Sequence, residues 1–511
     1  MLNIFFHRPF LTITGICLLL FISAGIFFNT IWYNAFPYLA FFTTFILCGK
    51  NFFERISLLF LCLVCALLFV LFNEAGIFLL TGEIVAILFI TYTNLKYRDI
   101  ILFAIIGVSF VVHLYYIQNT AVDIHQHDLK GILAYMTRIT EGGFNFLEFN
   151  PWQMYYQFHQ PLHFLIAGYI YIIEFHLWNS EIVAQEGLQY LSLFYVTVAT
   201  IASTLVLRRF AFEEKIFYAA TILFSFNPSL FLFSGYISND TAVFFWTSLF
   251  FYNLVCWYQD NQLKHIIFAA FCFGLGVLSK LSILIIVPAV TLLFLYKFYK
   301  SDNKHLVLKQ LCTFIIIAVP LSLIWIIRNH IMFDMSFFNI PDTSPSGQNF
   351  KYLTFWERIS DFSGLFTPFI NAPTVAENNI WLAIIKTELF GEWNLSLSHP
   401  VVYIPSFVLY LSCVLLSVAI LLGSIFLLAN YKKENFLLVF FTMIYFTIWF
   451  YCFKFALDYP YICSTDYRYF SALLLPEIII FFSVFNKYPT LLLFFALFYA
   501  FLGCFIYVFS V

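Results

Sequence analysis

Gln118-Asn-Thr-Ala-Val-Asp123-Ile-His125-Gln126-His127-Asp128, and further on His159-Gln160-Pro161-Leu162-His163, are polar islands in a chain that is otherwise almost continuous apolar sequence. The surroundings of these islands decide the fold. Of 511 residues 62% are hydrophobic, 22% aromatic and only 10% charged, whereas a soluble domain carries about a quarter charged residues. The chain is therefore read as a polytopic membrane protein. In lipid every backbone N–H and C=O must find an internal partner, so the spans are helices. The expected fold class is all-α: a membrane helix bundle of about 12–15 spans with juxtamembrane helices on its outer face.

Flanking Lys and Arg mark the cytoplasmic side of each span. Apolar runs near 11–28, 31–48, 56–72, 77–92 and 100–117 are joined by connectors that alternate between basic (Lys50 and Arg55, then Lys96 and Arg98) and acidic (Glu74). That places the N-terminus in the cytoplasm and the polar island from Gln118 to Pro161 outside. No small-residue cleavage site follows the first run, so it reads as a span that stays. Arg208, Arg209 and Lys215 form the next basic connector, so 162–178, with Glu174, His176 and Trp178, is predicted to lie along the interface as an amphipathic helix or to dip in and return. Further spans fall near 216–236, 241–257, 266–279, 282–296 and 310–327, with Lys280 at the outer tip of a short hairpin. Interfacial helices are expected around 353–365 and 380–390, and apolar stretches near 401–428, 436–453, 470–485 and 490–510 complete the chain.

The organisation that follows is 1–117 N-terminal membrane spans, 118–187 a first large outer loop with juxtamembrane helices and the acidic motif, 188–327 core spans, 328–400 a second outer loop with interfacial helices, and 401–511 C-terminal spans. A net charge of −2 with no Lys/Arg cluster gives no reason to expect a nucleic acid partner. Cys62 and Cys65 sit within an apolar run with no neighbouring His or basic residue, which reads as two small buried hydrophobes. Cys452 and Cys463 flank a loop, but spacing alone does not make a disulfide.

On this topology Asp123, Asp128, Asp240, Lys280, Arg328, Asp466 and Arg468 reach one face of the membrane from distant segments. Any one of them has an ordinary structural reading: Asp128 as the cap of a helix over Leu129–Arg138, Asn239-Asp240 as the cap of a span, Arg468 as an interfacial anchor. Their convergence favours chemistry. A carboxylate at the edge of a low-dielectric cavity can accept a proton from a hydroxyl nucleophile, which makes Asp128 the candidate catalytic base. His127 and His159 can orient it, bind a carrier phosphate or contact an acceptor. Lys280, flanked by apolar sequence, must snorkel or find an anion, and the Arg468 guanidinium suits bidentate phosphate recognition.

Several ordered elements resemble the GT-C superfamily of integral membrane glycosyltransferases, in particular the family 39 and 83 group of protein O-mannosyltransferases and lipid A aminoarabinose transferases. They are Gln126-His127-Asp128, His159-Gln160-Pro161-Leu162, Ser238-Asn239-Asp240, Gly274-Leu275-Gly276-Val277-Leu278-Ser279-Lys280, Arg328-Asn329, Lys386-Thr387-Glu388-Leu389-Phe390-Gly391-Glu392 and Asp466-Tyr467-Arg468-Tyr469. The pattern differs at Gln160, where the family has a proline, in a single Asp instead of an acidic pair, and in four apparent spans ahead of the usual first one.

The resemblance implies a GT-C fold and a transferase that moves a sugar from a polyprenyl-phosphate-linked donor to a lipid, glycan or protein acceptor. The expected setting is the outer face of a bacterial cytoplasmic membrane, with membrane lipids as surroundings. It implies Asp128 as base and His127, His159, Asn239, Asp240, Lys280, Arg328, Asp466 and Arg468 as substrate-binding residues. No metal ligands are assigned and no cofactor is certain; a divalent metal is compatible. The alternative is a transporter or flippase for a lipid-linked or anionic substrate, which would also gather charge but should show paired broken helices in two related halves. A non-catalytic member of the family would tolerate loss of Asp128.

Overall fold

The computed structural model describes residues 97–141, 150–152, 158–336, 353–370, 377–397, 399–430 and 436–510. The spans expected before residue 97, the Cys62 and Cys65 pair and the loop at Pro341–Pro345 lie outside these. The chain divides at Tyr115/Tyr116, and the packing and the site described below belong to residues 116–511.

Every regular element among the described residues is helical: α1 (Tyr97–Asn119), α2 (Leu129–Glu141), α3 (Leu162–Trp178), α4 (Glu181–Arg209), α5 (Glu214–Ser225), α6 (Pro228–Gly235), α7 (Asn239–Asp260), α8 (Leu263–Ser279), α9 (Val287–Lys300), α10 (Lys304–Phe333), α11 (Phe355–Ser360), α12 (Ile380–Phe390), α13 (Tyr403–Ala429), α14 (Phe436–Asp458), α15 (Leu474–Val484) and α16 (Pro489–Phe509). Among the described residues seven helical segments are long and apolar enough to cross a membrane, or eight if α5 and α6, bent by 42° at their junction, count as one span. This is the polytopic helical membrane architecture that the composition requires.

The helices that carry the site are interrupted where the sequence supplies a breaker or a cap. The Asn227 side chain accepts from Ser229 N (2.9 Å), capping α6, and Pro228 fills the first position of that helix, where its missing N–H costs nothing. Ser238 caps α7 by accepting from Asp240 N. Lys280 is extended (φ −166, ψ 145) between α8 and a 3-10 turn at Leu281–Ile286, so the chain reverses there. Two further 3-10 turns, Ile462–Thr465 and Tyr467–Leu473, lead into α15. The breaks after α6 and α8 and before α15 come together and form the floor of the candidate site.

α7 packs along both α4 and α8, α8 along α10, and α5 along α16. At the far end the register is fixed by Gln310, which accepts from Trp257 Nε1 (2.9 Å) and donates to the Asn261 carbonyl (2.8 Å). Glycine permits the closest approaches. A Cβ on Gly274 would stand 2.6 Å from Leu321 Cβ, and one on Gly276 2.6 Å from Ile283 Cδ1. The glycines of the 274–280 motif thus let α8 lie against α10 and against the turn that follows Lys280.

The stretch 162–178 forms one 17-residue helix, α3. His163 and Glu174 are buried, while Tyr169, Ile173, His176, Leu177 and Trp178 face outward. Glu174 accepts from Trp178 Nε1 (2.8 Å) and sits over Gly187 of α4. Cys452 and Cys463 are both free thiols.

Gly274→Ala is expected to overpack the α8–α10 contact and cost about 1–3 kcal/mol. A lowered midpoint in thermal unfolding of the detergent-purified chain is the check, and an unchanged midpoint would mean the helices separate freely at this point.

Candidate active site

Between α1 and α2 the loop of the first polar island is tied down residue by residue. Tyr116 Oη lies 3.0 Å from His125 Nδ1. Gln126 donates to the Gly235 carbonyl (2.6 Å) and accepts from Ile237 N (3.0 Å), so its amide bridges the gap between α6 and α7. Trp393 covers the loop, its ring 5.1 Å from that of His125 and 4.7 Å from that of His127, and Tyr236 stands edge-on to His127 at 5.4 Å. Gly391, at φ +64, makes the turn that brings Trp393 back, and a Cβ there would collide with the indole.

Asp128 has the left-handed φ of +59. Its carbonyl accepts from Gly131 N and Ile132 N (2.9 and 3.1 Å), the first hydrogen bonds of α2. The carboxylate is 45% exposed and lies 3.6 Å from Arg468 Nη2, which is 6% exposed.

Beneath Asp128 is a row of alternating charges. Lys280 pairs with Asp240, whose other oxygen accepts from Ser238 Oγ (3.0 Å). Arg468 Nε is 3.3 Å from Asp466 Oδ2, and Asp466 Oδ1 accepts from Arg468 N (3.0 Å). His127 Nε2 is 3.3 Å from the same Asp466 oxygen, and Glu392 lies 3.8 Å from His127 Nδ1. Tyr469 joins the two cations: Lys280 Nζ stands 4.5 Å and Arg468 Cζ 4.9 Å from its ring centre, and Arg468 Nη2 donates to its hydroxyl (2.8 Å). An aromatic face beside two buried cations offsets part of their mutual repulsion.

The motif at 386–392 holds this turn in place. Thr387 Oγ1 accepts from Tyr467 N (2.9 Å) and donates to the Thr465 carbonyl (3.1 Å). The residue before Thr387, Lys386, forms a buried pair with Glu377.

Several polar atoms that face this centre complete no hydrogen bond among the described residues: His127 Nε2, Glu392 Oε1, Asp466 Oδ2 and Arg468 Nε. Buried polar groups left open cost free energy unless a ligand or water meets them. Burial, and after it the charges of Arg468, His125 and Lys280, holds the His127 imidazole well below its usual range, so it is neutral at pH 7. Burial lowers His159 to about 3, with Lys280 acting in the same direction. Burial pushes the Glu392 carboxyl up to about 7, helped by the negative charge of Asp466.

The candidate residues thus divide. Asp128, His127, Asp240, Lys280, Asp466 and Arg468 form one cluster, and His159 feels the charges of Lys280, Asp240 and Arg468. Asn239 donates to the Ser279 carbonyl (3.4 Å) and holds the start of α7 to the end of α8, which positions Lys280. Arg328 packs over Trp325 (4.3 Å) and Phe333 (4.5 Å) and donates to Asn329 Oδ1 (2.5 Å). Asp123 is exposed. Glu392, Trp393, Tyr236 and Tyr469 were not singled out from sequence as site residues. Glu392 and Tyr469 lay inside quoted motifs, whereas nothing in the local sequence marks Tyr236 or Trp393.

Residues 165–335 match the model of the dolichyl-phosphate-mannose-protein mannosyltransferase family. The matched third of the chain contains Asn239, Asp240, Lys280 and Arg328. Folding brings Asp128, Asp466 and Arg468 to that segment from either side of it. The match supports the resemblance to GT-C glycosyltransferases. No curated protein matches the chain.

The cluster does not fit a divalent metal. Its acidic groups face Lys280 and Arg468, and among the described residues no three of its His, Asp and Glu side chains converge on one ligand sphere. The group that does converge, Cys256, Asp260 and His265, belongs to the opposite end of α7, and there Asp260 already pairs with Arg209 (3.0 Å).

The Glu392 carboxyl is raised in the folded chain, so it favours the folded state below its unfolded value, about 4.5, and that contribution is lost as pH rises through about 7. The unfolding midpoint should fall between these limits, and Glu392→Gln should flatten that part of the profile. An identical profile in the variant would show that the carboxyl is not held neutral by its surroundings.

Proposed function

We propose that the chain is a membrane glycosyltransferase that takes a sugar from a polyprenyl-phosphate carrier and delivers it to a hydroxyl of an acceptor, with Asp128 as the base. The observation that carries this reading is one half-exposed carboxylate 3.6 Å from a buried guanidinium. Asp128 is open to an incoming acceptor, while Arg468 and Lys280 lie beneath it, where a phosphate anchored in lipid would end.

In the reaction the acceptor oxygen attacks the anomeric carbon and its proton passes to the Asp128 carboxylate. The bond from that carbon to the phosphate oxygen breaks, and the polyprenyl phosphate leaves with the electron pair. Attack opposite the leaving group inverts the anomeric configuration. Negative charge builds on the departing phosphate, and cations fixed before the reaction stabilise it without reorganising. Lys280 and Arg468 are so fixed, by Asp240, Asp466 and Tyr469. Neutral His127 can donate to or accept from the sugar without adding a charge that would compete for the phosphate.

The family match supports mannose on a dolichyl-type carrier as the donor and a protein hydroxyl as the acceptor. The topology drawn from the basic connectors favours the outer face of a bacterial cytoplasmic membrane. The expected blocks at 1–117, 118–187, 188–327, 328–400 and 401–511 then divide anchoring spans from the loops that carry Asp128 and the residues around Glu392.

Asp128→Asn keeps the shape and removes the base. Transfer measured in membranes with a radiolabelled polyprenyl-phosphate mannose donor should fall roughly 10²–10⁴-fold, with donor binding and the amount of folded protein unchanged. Activity within a few fold of wild type would remove Asp128 from this role.

A further inference from the structure

A second polar centre lies deeper in the bundle, beneath the turn that carries Arg468. Glu388, on the helix turn that also holds Thr387, accepts from Asn227 Nδ2 (2.9 Å) at the break between α5 and α6. Glu477 of α15 lines the same small cavity, together with Cys413, Ser417, Trp449 and Tyr499. The space is about 20 Å³, room for one water-sized guest.

Three observations indicate what that guest is. The Glu477 carboxylate is 9% exposed, and no described hydrogen-bond donor reaches it. The buried Tyr499 hydroxyl lines the same cavity, and its oxygen could serve as a ligand. The remaining ionisable groups that face the carboxylates are Cys413 of α13, Tyr445 and Cys452 of α14, Tyr467 of the 3-10 turn and Tyr499 of α16, and none is cationic. Two acidic groups side by side in an apolar interior therefore have no positive side chain among the described residues. By contrast, the buried Lys386–Glu377 and Lys280–Asp240 pairs each bring their own cation. α5 ends and α6 begins at this same break, at Asn227. A broken span, two acidic side chains with no cationic partner among the described residues and a cavity of ionic size are the elements from which intramembrane cation sites are made.

We infer that Glu388, Glu477 and the broken end of α5 form a binding site for one small monovalent cation, with sodium ion and proton as competing occupants. The occupant replaces the missing positive charge and ties α15 to α12 and α5. Since Thr387, the next residue to Glu388, grips the Asp466–Tyr467 backbone, the occupied site also steadies the turn that presents Arg468.

The test uses the full chain in detergent and needs no sugar transfer, so it stands or falls apart from the glycosyltransferase reading. Thermal unfolding is followed at pH 8 in sodium chloride and in choline chloride at equal ionic strength, and then from pH 5 to 8.5 in choline chloride. Sodium should raise the wild-type midpoint by about 3 °C or more, and acid should reduce that gain by competition. A midpoint that rises on acidification and ignores sodium shows only buried carboxyls taking up protons and overturns the proposal. Glu477→Gln removes the sodium response, and Glu388→Gln is used in its place if the first variant does not fold. A variant with the same sodium and pH responses as wild type overturns the proposal.

Discussion

Buried positive charge is the constraint that shapes this end of the bundle. Lys280 and Arg468 stand on turns between apolar helices, and neither could be held there unaccompanied, because desolvating an ion in such surroundings costs several kcal/mol. Asp240, Asp466 and the Tyr469 ring supply the compensation. Those partners in turn dictate where helices must stop: α7 begins at Asn239 so that Asp240 reaches Lys280, α8 ends at Ser279, and the chain ahead of α15 winds into a 3-10 turn. Three helix breaks exist so that two cations can be accommodated. His127 Nε2, Glu392 Oε1, Asp466 Oδ2 and Arg468 Nε complete no hydrogen bond among the described residues, so donors and acceptors alike are turned toward this centre.

Much of this was legible in the residues. Charged and polar types are so scarce in this chain that each one at a span boundary carries information, and the alternation of basic and acidic connectors by itself assigns Asp128, Asp240, Lys280, Asp466 and Arg468 to one face. The glycines at 274 and 276 were visible as a motif, but their purpose, close contact with Leu321 and Ile283, depends on packing across distant segments. Packing partners are less legible: Arg328 stands at the end of a span like the other cations, and the Trp325 and Phe333 rings over which its guanidinium lies are not apparent from that position. In α3, Glu174 suggested contact with water, whereas it is buried over Gly187 of α4.

Glu392 and Trp393 were hidden for a different reason. Their contribution is made through Gly391, whose positive φ folds the chain back so that the indole covers His125 and His127. Burial of those imidazoles then suppresses their charge. The electrostatics of the first polar island are thus set by a residue more than 250 positions downstream, and no local window of sequence contains both.

The hydrogen bond from Asn227 to Glu388 spans 161 residues and has a bearing on how the chain is made. A ribosome delivers the α5–α6 segment to the insertion machinery long before α12 has been synthesised. During that interval the Asn227 amide has no Glu388 to meet and must be shielded by neighbouring chain, by the translocation channel or by water. Final seating of the early spans is consequently postponed until the C-terminal half arrives, and the order of assembly need not follow the order of translation.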